Sequence, residues 1–222
     1  MKGNWREVHS DLEYMQFFYT YEFYRKKNEP ISDETYVQFP IYALGTYEEE
    51  RKNIILAWKH HIDEQLTSFL YVLIAQQGVL LGKHYREHWG KCCDIVPAPS
   101  HPKRKREDLF IAGHIAKALA YGMQQSGIKA RVCDVLERSH SLRVKTAHER
   151  YKKQQGITLK NEEMLKNPIL LVDDVVTTGS TLAGCARALG ENHRAVLACA
   201  LAATPQKSRK DERHAEVEKK KK

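Results

Sequence analysis

Pro168-Ile169-Leu170-Leu171-Val172-Asp173-Asp174-Val175-Val176-Thr177-Thr178-Gly179-Ser180-Thr181 is the stretch whose reading decides the fold. Five apolar residues bounded by Asn167 and Asp173 are long enough for a strand and too short for a helix. A strand that is apolar at every position rather than at alternate ones is covered on both faces, as in a parallel sheet. The strand is expected to stop at two carboxylates, Asp173 and Asp174, and a turn of small hydroxylated residues then leads into a helix over 180–190. Such a turn offers free backbone N–H groups, hydroxyl donors and the positive end of a helix, a combination that holds a phosphate. The two acids would repel a phosphate they faced. They are better placed on a neighbouring polyol, whose hydroxyls can donate to them. A phosphate beside a vicinal diol describes a ribose 5-phosphate. In the plainer alternative, the acids merely end a strand and Ser180 or Thr181 caps a helix. The unbroken order of apolar strand, acid pair, Thr-Thr-Gly-Ser-Thr and helix favours the phosphate.

Working outward, the same grammar repeats. Residues 39–47 read as a short strand, and helical spacing follows around 48–58 and 64–77. Residues 94–97 read as a strand, 108–125 as a helix and 131–136 as a strand. A charged connection covers 137–153, and 194–203 closes the series as a strand. Apolar strands alternating with helices predict an α/β fold, a parallel sheet flanked by helices. The expected division is an N-terminal extension over 1–40, a domain over 41–205 and a basic tail over 206–222. In the extension, Tyr14, Phe17, Phe18, Tyr19, Tyr21, Phe23 and Tyr24 crowd together, and the expectation is a helical extension or hood with an aromatic face on the core.

Composition narrows the functional classes. The formal charge of +8 points toward polyanions, but half of it sits in Gln206–Lys222, ending in four lysines. A tail of that kind attracts nucleic acid weakly and without regard to sequence. No run approaches the roughly 20 uninterrupted apolar residues of a membrane span, and residues 1–7 lack an apolar signal core, so the expected location is cytoplasmic with no membrane partner. Five cysteines, none spaced Cys-x-x-Cys, read as buried thiols in a reducing compartment rather than metal ligands. The histidines, among them His84 and His88, show no spacing tied to a nucleophile or a metal, and no protein-built metal site is expected.

The segment Ile169–Leu182 resembles the phosphoribosyl pyrophosphate signature of type I phosphoribosyltransferases. More narrowly, the chain is similar to the ComF/GntX-type family, tied in many bacteria to competence and DNA uptake, from about Ile41 to Ala203. Tyr42–Tyr47 followed by Ile55–Lys59 resembles that family's opening strand and lysine-ended helix, and Asp94–Ser100 resembles its Val-Pro-x-Pro loop. The resemblance implies a type I phosphoribosyltransferase-like sheet and assigns Asp173 and Asp174 to catalysis at the ribose. It assigns Val175, Thr177, Thr178, Gly179, Ser180 and Thr181 to the 5-phosphate. It also places Ser100, Lys103, Arg104 and Arg106 in a pyrophosphate loop, where clustered cations suit a polyphosphate, and Arg138 and Arg143 in a mobile loop that closes over the ligand. Mg²⁺ is implied, bound mainly through substrate pyrophosphate.

The implied activity is transfer of the phosphoribosyl group from phosphoribosyl pyrophosphate to a nitrogen acceptor, with release of pyrophosphate. The acceptor is not legible, and a homodimer is left open. The chain departs from the family in having no N-terminal zinc ribbon. It also has Arg106-Glu107-Asp108-Leu109 where an Arg-Gly-Phe-Asn element is common. Those departures keep a second class in view, a non-catalytic nucleotide sensor or DNA-uptake accessory on the same fold.

Overall fold

The computed structural model describes residues 4–9, 15–20, 38–60, 63–100, 109–138, 156–177, 179–190 and 195–204. Nine strands run through them: β1 (Asn4–His9), β2 (Met15–Thr20), β3 (Gln38–Ala43), β4 (Cys92–Pro97), β5 (Lys129–Val132), β6 (Leu136–Arg138), β7 (Ile157–Leu159), β8 (Ile169–Val176) and β9 (Ala195–Ala203). The helices are α1 (Glu49–His60), α2 (Glu64–Trp89), α3 (Ile111–Gln125) and α4 (Ser180–Leu189). Seven strands form one sheet in the order β1-β2-β3-β9-β8-β4-β5, and β6 pairs with β7 in a small second sheet. From β3 to β5 the five strands are parallel, the expected α/β architecture.

The apolar run 169–172 is buried throughout because β8 has a strand on each side and helices above and below. Its side chains alternate between two cores, as the pleat requires. Ile169 and Leu171 join Leu182, Cys185 and Leu189 of α4. Leu170 and Val172 join Trp58 of α1, Leu81 and Tyr85 of α2 and Leu119 of α3. Helices α2 and α3 approach closely where glycines face each other: a Cβ on Gly122 would run into the Ala75 carbonyl, and one on Gly78 would lie 2.6 Å from the Leu119 oxygen. By length and composition α2 could cross a bilayer. Here one of its faces packs on α3, and Phe69 and Val72 are exposed on it.

Four expectations change. The extension expected as a helix forms strands: β2 lies antiparallel to both β1 and β3, with Phe17 opposite Ile41 and Tyr19 opposite Phe39. Bulky aromatics favour a pleated surface, and the edge of β3 offers unpaired backbone groups to a further strand. Helix α2 runs twelve residues beyond the expected end at 77, to a stop at Gly90 with φ 97°. The strand expected over 131–136 divides into β5 and β6. Strand β8 continues through Asp173 and Asp174 to Val176, because β9 pairs with it along that length, Asp173 opposite Ala200 and Val176 opposite Ala203.

One acid is part of the scaffold. Asp94 on β4 is wholly buried and receives five hydrogen bonds. Arg131 donates through Nε at 2.6 Å and Nη2 at 3.1 Å, the Lys166 and Asn167 backbone N–H groups at 2.7 and 2.9 Å, and Asn167 Nδ2 at 2.9 Å. Burial pushes this carboxyl up, but the hydrogen bonds together outweigh it and hold the group at about 2. The clamp ties β4 to β5 and to the turn before β8.

Candidate functional site

At the end of β8 the sheet opens. Ala98 N–H donates to the Val172 carbonyl at 2.7 Å, which carries the chain leaving β4 across the mouth of β8. A cavity of about 360 Å³ lies there, lined by Pro99 and Ser100 after β4, Phe110 to Ala112 at the start of α3, Arg138 on β6, Asp173 to Val175 on β8 and Thr181 on α4. This is the carboxyl edge of a parallel sheet, where ligands of open α/β folds gather, and the volume falls within the roughly 300–1,000 Å³ of small-molecule sites.

Two helices begin at this cavity. Neither Phe110, which precedes α3, nor Gly179, which precedes α4, caps the first turn with its own side chain. Their first-turn N–H groups and dipole ends therefore favour a negative ligand. Gly179 sits at φ 68°, a left-handed conformation that glycine adopts without strain.

The acids line the same cavity. The Asp174 backbone N–H donates to Asp173 Oδ1 at 2.9 Å, and Lys59, the penultimate residue of α1, pairs with Asp174 Oδ2 at 2.8 Å. Burial, then the charge of Asp174, pushes the Asp173 carboxyl up to about 7, against the opposing pull of its hydrogen bond and of Lys59 and Arg138. Arg138 reaches the same cavity, and its Nε is buried with no hydrogen-bond partner among the described residues. An unpaired buried guanidinium nitrogen beside a cavity is a donor waiting for an anion.

The structure thus brings Ser100, Arg138, Asp173, Asp174, Val175 and Thr181 to one cavity. Thr177 is exposed, and Gly179 is buried at the helix start. Thr178, Lys103, Arg104, Arg106 and Arg143 lie outside the described residues, as does the tail 206–222. Arg138, expected in a mobile loop, is on a paired strand, with Ile157 as its partner in β7. Two contributors are absent from the sequence-derived site set. Lys59 was noted only as a helix-ending lysine, and its pairing with Asp174 is non-local. The start of α3 was hidden because Phe110 is not a capping residue type.

At the carboxyl edge of a parallel sheet, an acid pair that can accept from hydroxyls and two helix starts that can face an anion share one cavity. The chain belongs to the phosphoribosyl transferase domain family, whose model matches residues 109–221 and so includes β8, the acid pair and α4. No curated protein matches the chain.

Proposed function

We propose that the cavity binds phosphoribosyl pyrophosphate and that the protein transfers its phosphoribosyl group to a nitrogen acceptor, releasing pyrophosphate. The observation that carries this reading is that one cavity collects the starts of α3 and α4, the acid pair and Arg138. These groups suit the ligand's two phosphate ends and its ribose diol. In this reading the turn Thr177–Thr181 holds the 5-phosphate, and Asp173 and Asp174 accept hydrogen bonds from the ribose hydroxyls. The start of α3, Ser100 and Arg138 face the pyrophosphate. By the resemblance, Lys103, Arg104 and Arg106 belong to the pyrophosphate loop and Arg143 to the mobile loop, and would add cations.

In the reaction the bond from the anomeric carbon to pyrophosphate breaks, its electron pair leaving with the pyrophosphate, and a bond to nitrogen forms on the opposite face. Positive charge that develops on the sugar meets the two carboxylates, so the protein's part is positioning and charge stabilisation. The oxygen donors Asp173, Asp174 and Ser100 suit a hard cation, and Mg²⁺ held mainly by substrate oxygens would supply neutralisation of the leaving group. The Asp94–Ser100 segment and Lys59 at the end of α1 support placement in the ComF/GntX-type branch.

A second reading, a nucleotide sensor without transfer, is favoured by Arg106-Glu107-Asp108-Leu109 in place of the family's Arg-Gly-Phe-Asn. Calorimetry with phosphoribosyl pyrophosphate and Mg²⁺, followed by a pyrophosphate-release screen over nucleobases and ammonia, tests both. Saturable binding with release is expected. Binding without release with any acceptor favours the sensor, and no binding overturns both readings.

A further inference from the structure

On the far part of α2 stands a second constellation that the sugar-phosphate site does not use. His84, Glu87 and His88 each offer one ligand atom, and the three atoms lie within 4.8 Å of one another. The spacing i, i+3, i+4 puts all three on one helical face, and a histidine pair four residues apart is a common way for a helix to present two ligands to a metal. None of the three lines the Asp173–Asp174 cavity.

The imidazoles are already oriented. His88 Nδ1 lies 2.9 Å from the His84 carbonyl, an oxygen that can only accept, so Nδ1 carries the proton and Nε2 carries the lone pair. His84 Nε2 lies 2.5 Å from the hydroxyl of Tyr42, a buried residue of β3. The His84 tautomer that donates Nε2–H to that hydroxyl leaves Nδ1 to coordinate. A second ring nitrogen held by a carbonyl or hydroxyl is the outer support that metal-bound histidines commonly have. The His84 and His88 rings are 4.3 Å apart, and Trp89 packs 5.4 Å from His88, giving the site an apolar flank.

We propose that His84, Glu87 and His88 bind a divalent cation of the imidazole-preferring kind, Zn²⁺ or a near neighbour in the first transition row. Two nitrogens and one carboxylate oxygen match that class, whereas Mg²⁺ prefers oxygens alone. Bond lengths of ~2.0–2.1 Å require the ligand atoms to draw together to roughly 3.3 Å for a tetrahedral ion. Glu87 and His88 are exposed and free to make that adjustment. The bound ion would fasten the last turns of α2 beside Tyr42 of β3 and leave a fourth position for water.

Titration of the full chain with Zn²⁺ by calorimetry, with Mg²⁺ present, tests the site, alongside His88→Gln, Glu87→Gln and Cys92→Ser. One Zn²⁺ per chain is expected. Affinity should fall at least ~10-fold in His88→Gln and less in Glu87→Gln, and should be unchanged in Cys92→Ser. Zn²⁺ should also raise the thermal midpoint of the wild type more than that of His88→Gln, since an ion that binds only the folded chain stabilises it. Absence of wild-type binding, equal affinity in His88→Gln, or loss in Cys92→Ser overturns the proposal. Affinity of His88→Gln for phosphoribosyl pyrophosphate should match the wild type, so failure here and failure of the sugar-phosphate reading are separate results.

Discussion

Two carboxylate sites stand on neighbouring strands of one sheet, Asp94 on β4 and the Asp173–Asp174 pair on β8, and their surroundings are opposites. Asp94 is wholly buried, with five hydrogen bonds and a guanidinium against it, and its carboxyl is held at about 2. Asp173 faces a cavity, has a second carboxylate beside it, and is pushed up to about 7. The first acid lowers the energy of the fold. The second, left under-satisfied, is a local cost that a ligand with hydroxyls and nearby cationic partners would relieve. The two sites also lie toward opposite ends of the sheet: Asp94 is opposite Ile169, where β8 begins, and the pair follows Val172 toward its end.

The sharpest break between the two is expected on stability. Asp94→Ala leaves the Lys166 and Asn167 N–H groups without their acceptor and releases the half-exposed Arg131, and should cost about 3 kcal/mol in urea unfolding, the scale of leaving several buried donors unsatisfied. Chains that remain folded should bind phosphoribosyl pyrophosphate like the wild type. A cost under ~1 kcal/mol would mean that the turn before β8 is held by other contacts. Next in size, Asp173→Asn with Asp174→Asn should weaken that ligand by at least ~2 kcal/mol, about 30-fold, through loss of charge-assisted hydrogen bonds. The fold should be as stable as before or more so, because a like-charge contact is gone. Unchanged affinity in the well-folded double variant would remove the acids from the site.

A pH series turns the contrast into opposite slopes. For Asp94 the folded value of about 2 lies below the ordinary 3.8, so its contribution is present above pH 4 and is lost as pH falls through about 2. Its full size is about 2 kcal/mol at ~1.4 kcal/mol per pH unit. For Asp173 the folded value of about 7 lies above 3.8. Its stabilising effect is therefore present below pH 4 and lost as pH rises through 7. Asp173→Asn should gain stability relative to wild type between pH 4 and 7 and level off above. Asp94→Asn should lose ground relative to wild type between pH 2 and 4 and hold that deficit above. Urea unfolding at pH 3, 5, 7 and 8 measures both, and slopes of the same sign would break the comparison.

How much of this was legible in the sequence depends on how local the cause is. The stretch 168–181 carries its own explanation, since strand, acids, turn and helix are contiguous, and it led to both the sheet and the carboxylates that line the cavity. Asp94 has the opposite character: its partners are 37 and 72 or 73 residues away, so in sequence it reads only as an acid in an apolar run. Aromatic crowding in residues 14–24 fits a helix face or a strand equally well, and only pairing with β3 decides for the strand. The triad on α2 was missed for a boundary reason. A helix expected to stop at 77 puts His84, Glu87 and His88 on no common face, and twelve more residues of helix align them.

The smallest expected effect belongs to Lys59, which stands between the two kinds of acid site. It pairs with Asp174 at 2.8 Å as Arg131 pairs with Asp94, but Asp174 keeps 23% exposure where Asp94 is wholly buried. Partly solvated pairs of this kind are worth ~1 kcal/mol or less, so Lys59→Met, which keeps the aliphatic stem, should barely alter unfolding. Its effect should appear in ligand binding instead. The Lys59 charge helps draw Asp173 downward, so removing it should raise that carboxyl further and leave more of it protonated at neutral pH. A protonated carboxyl accepts hydroxyl hydrogen bonds poorly. Affinity for phosphoribosyl pyrophosphate should therefore fall about five-fold or less at pH 7, roughly 1 kcal/mol, and recover toward wild type at pH 9. Calorimetry of wild type and variant at the two pH values checks this. If the variant binds more tightly at pH 7, Lys59 competes with the ribose hydroxyls for Asp174, and the lysine is a latch on the empty site rather than a support for the occupied one.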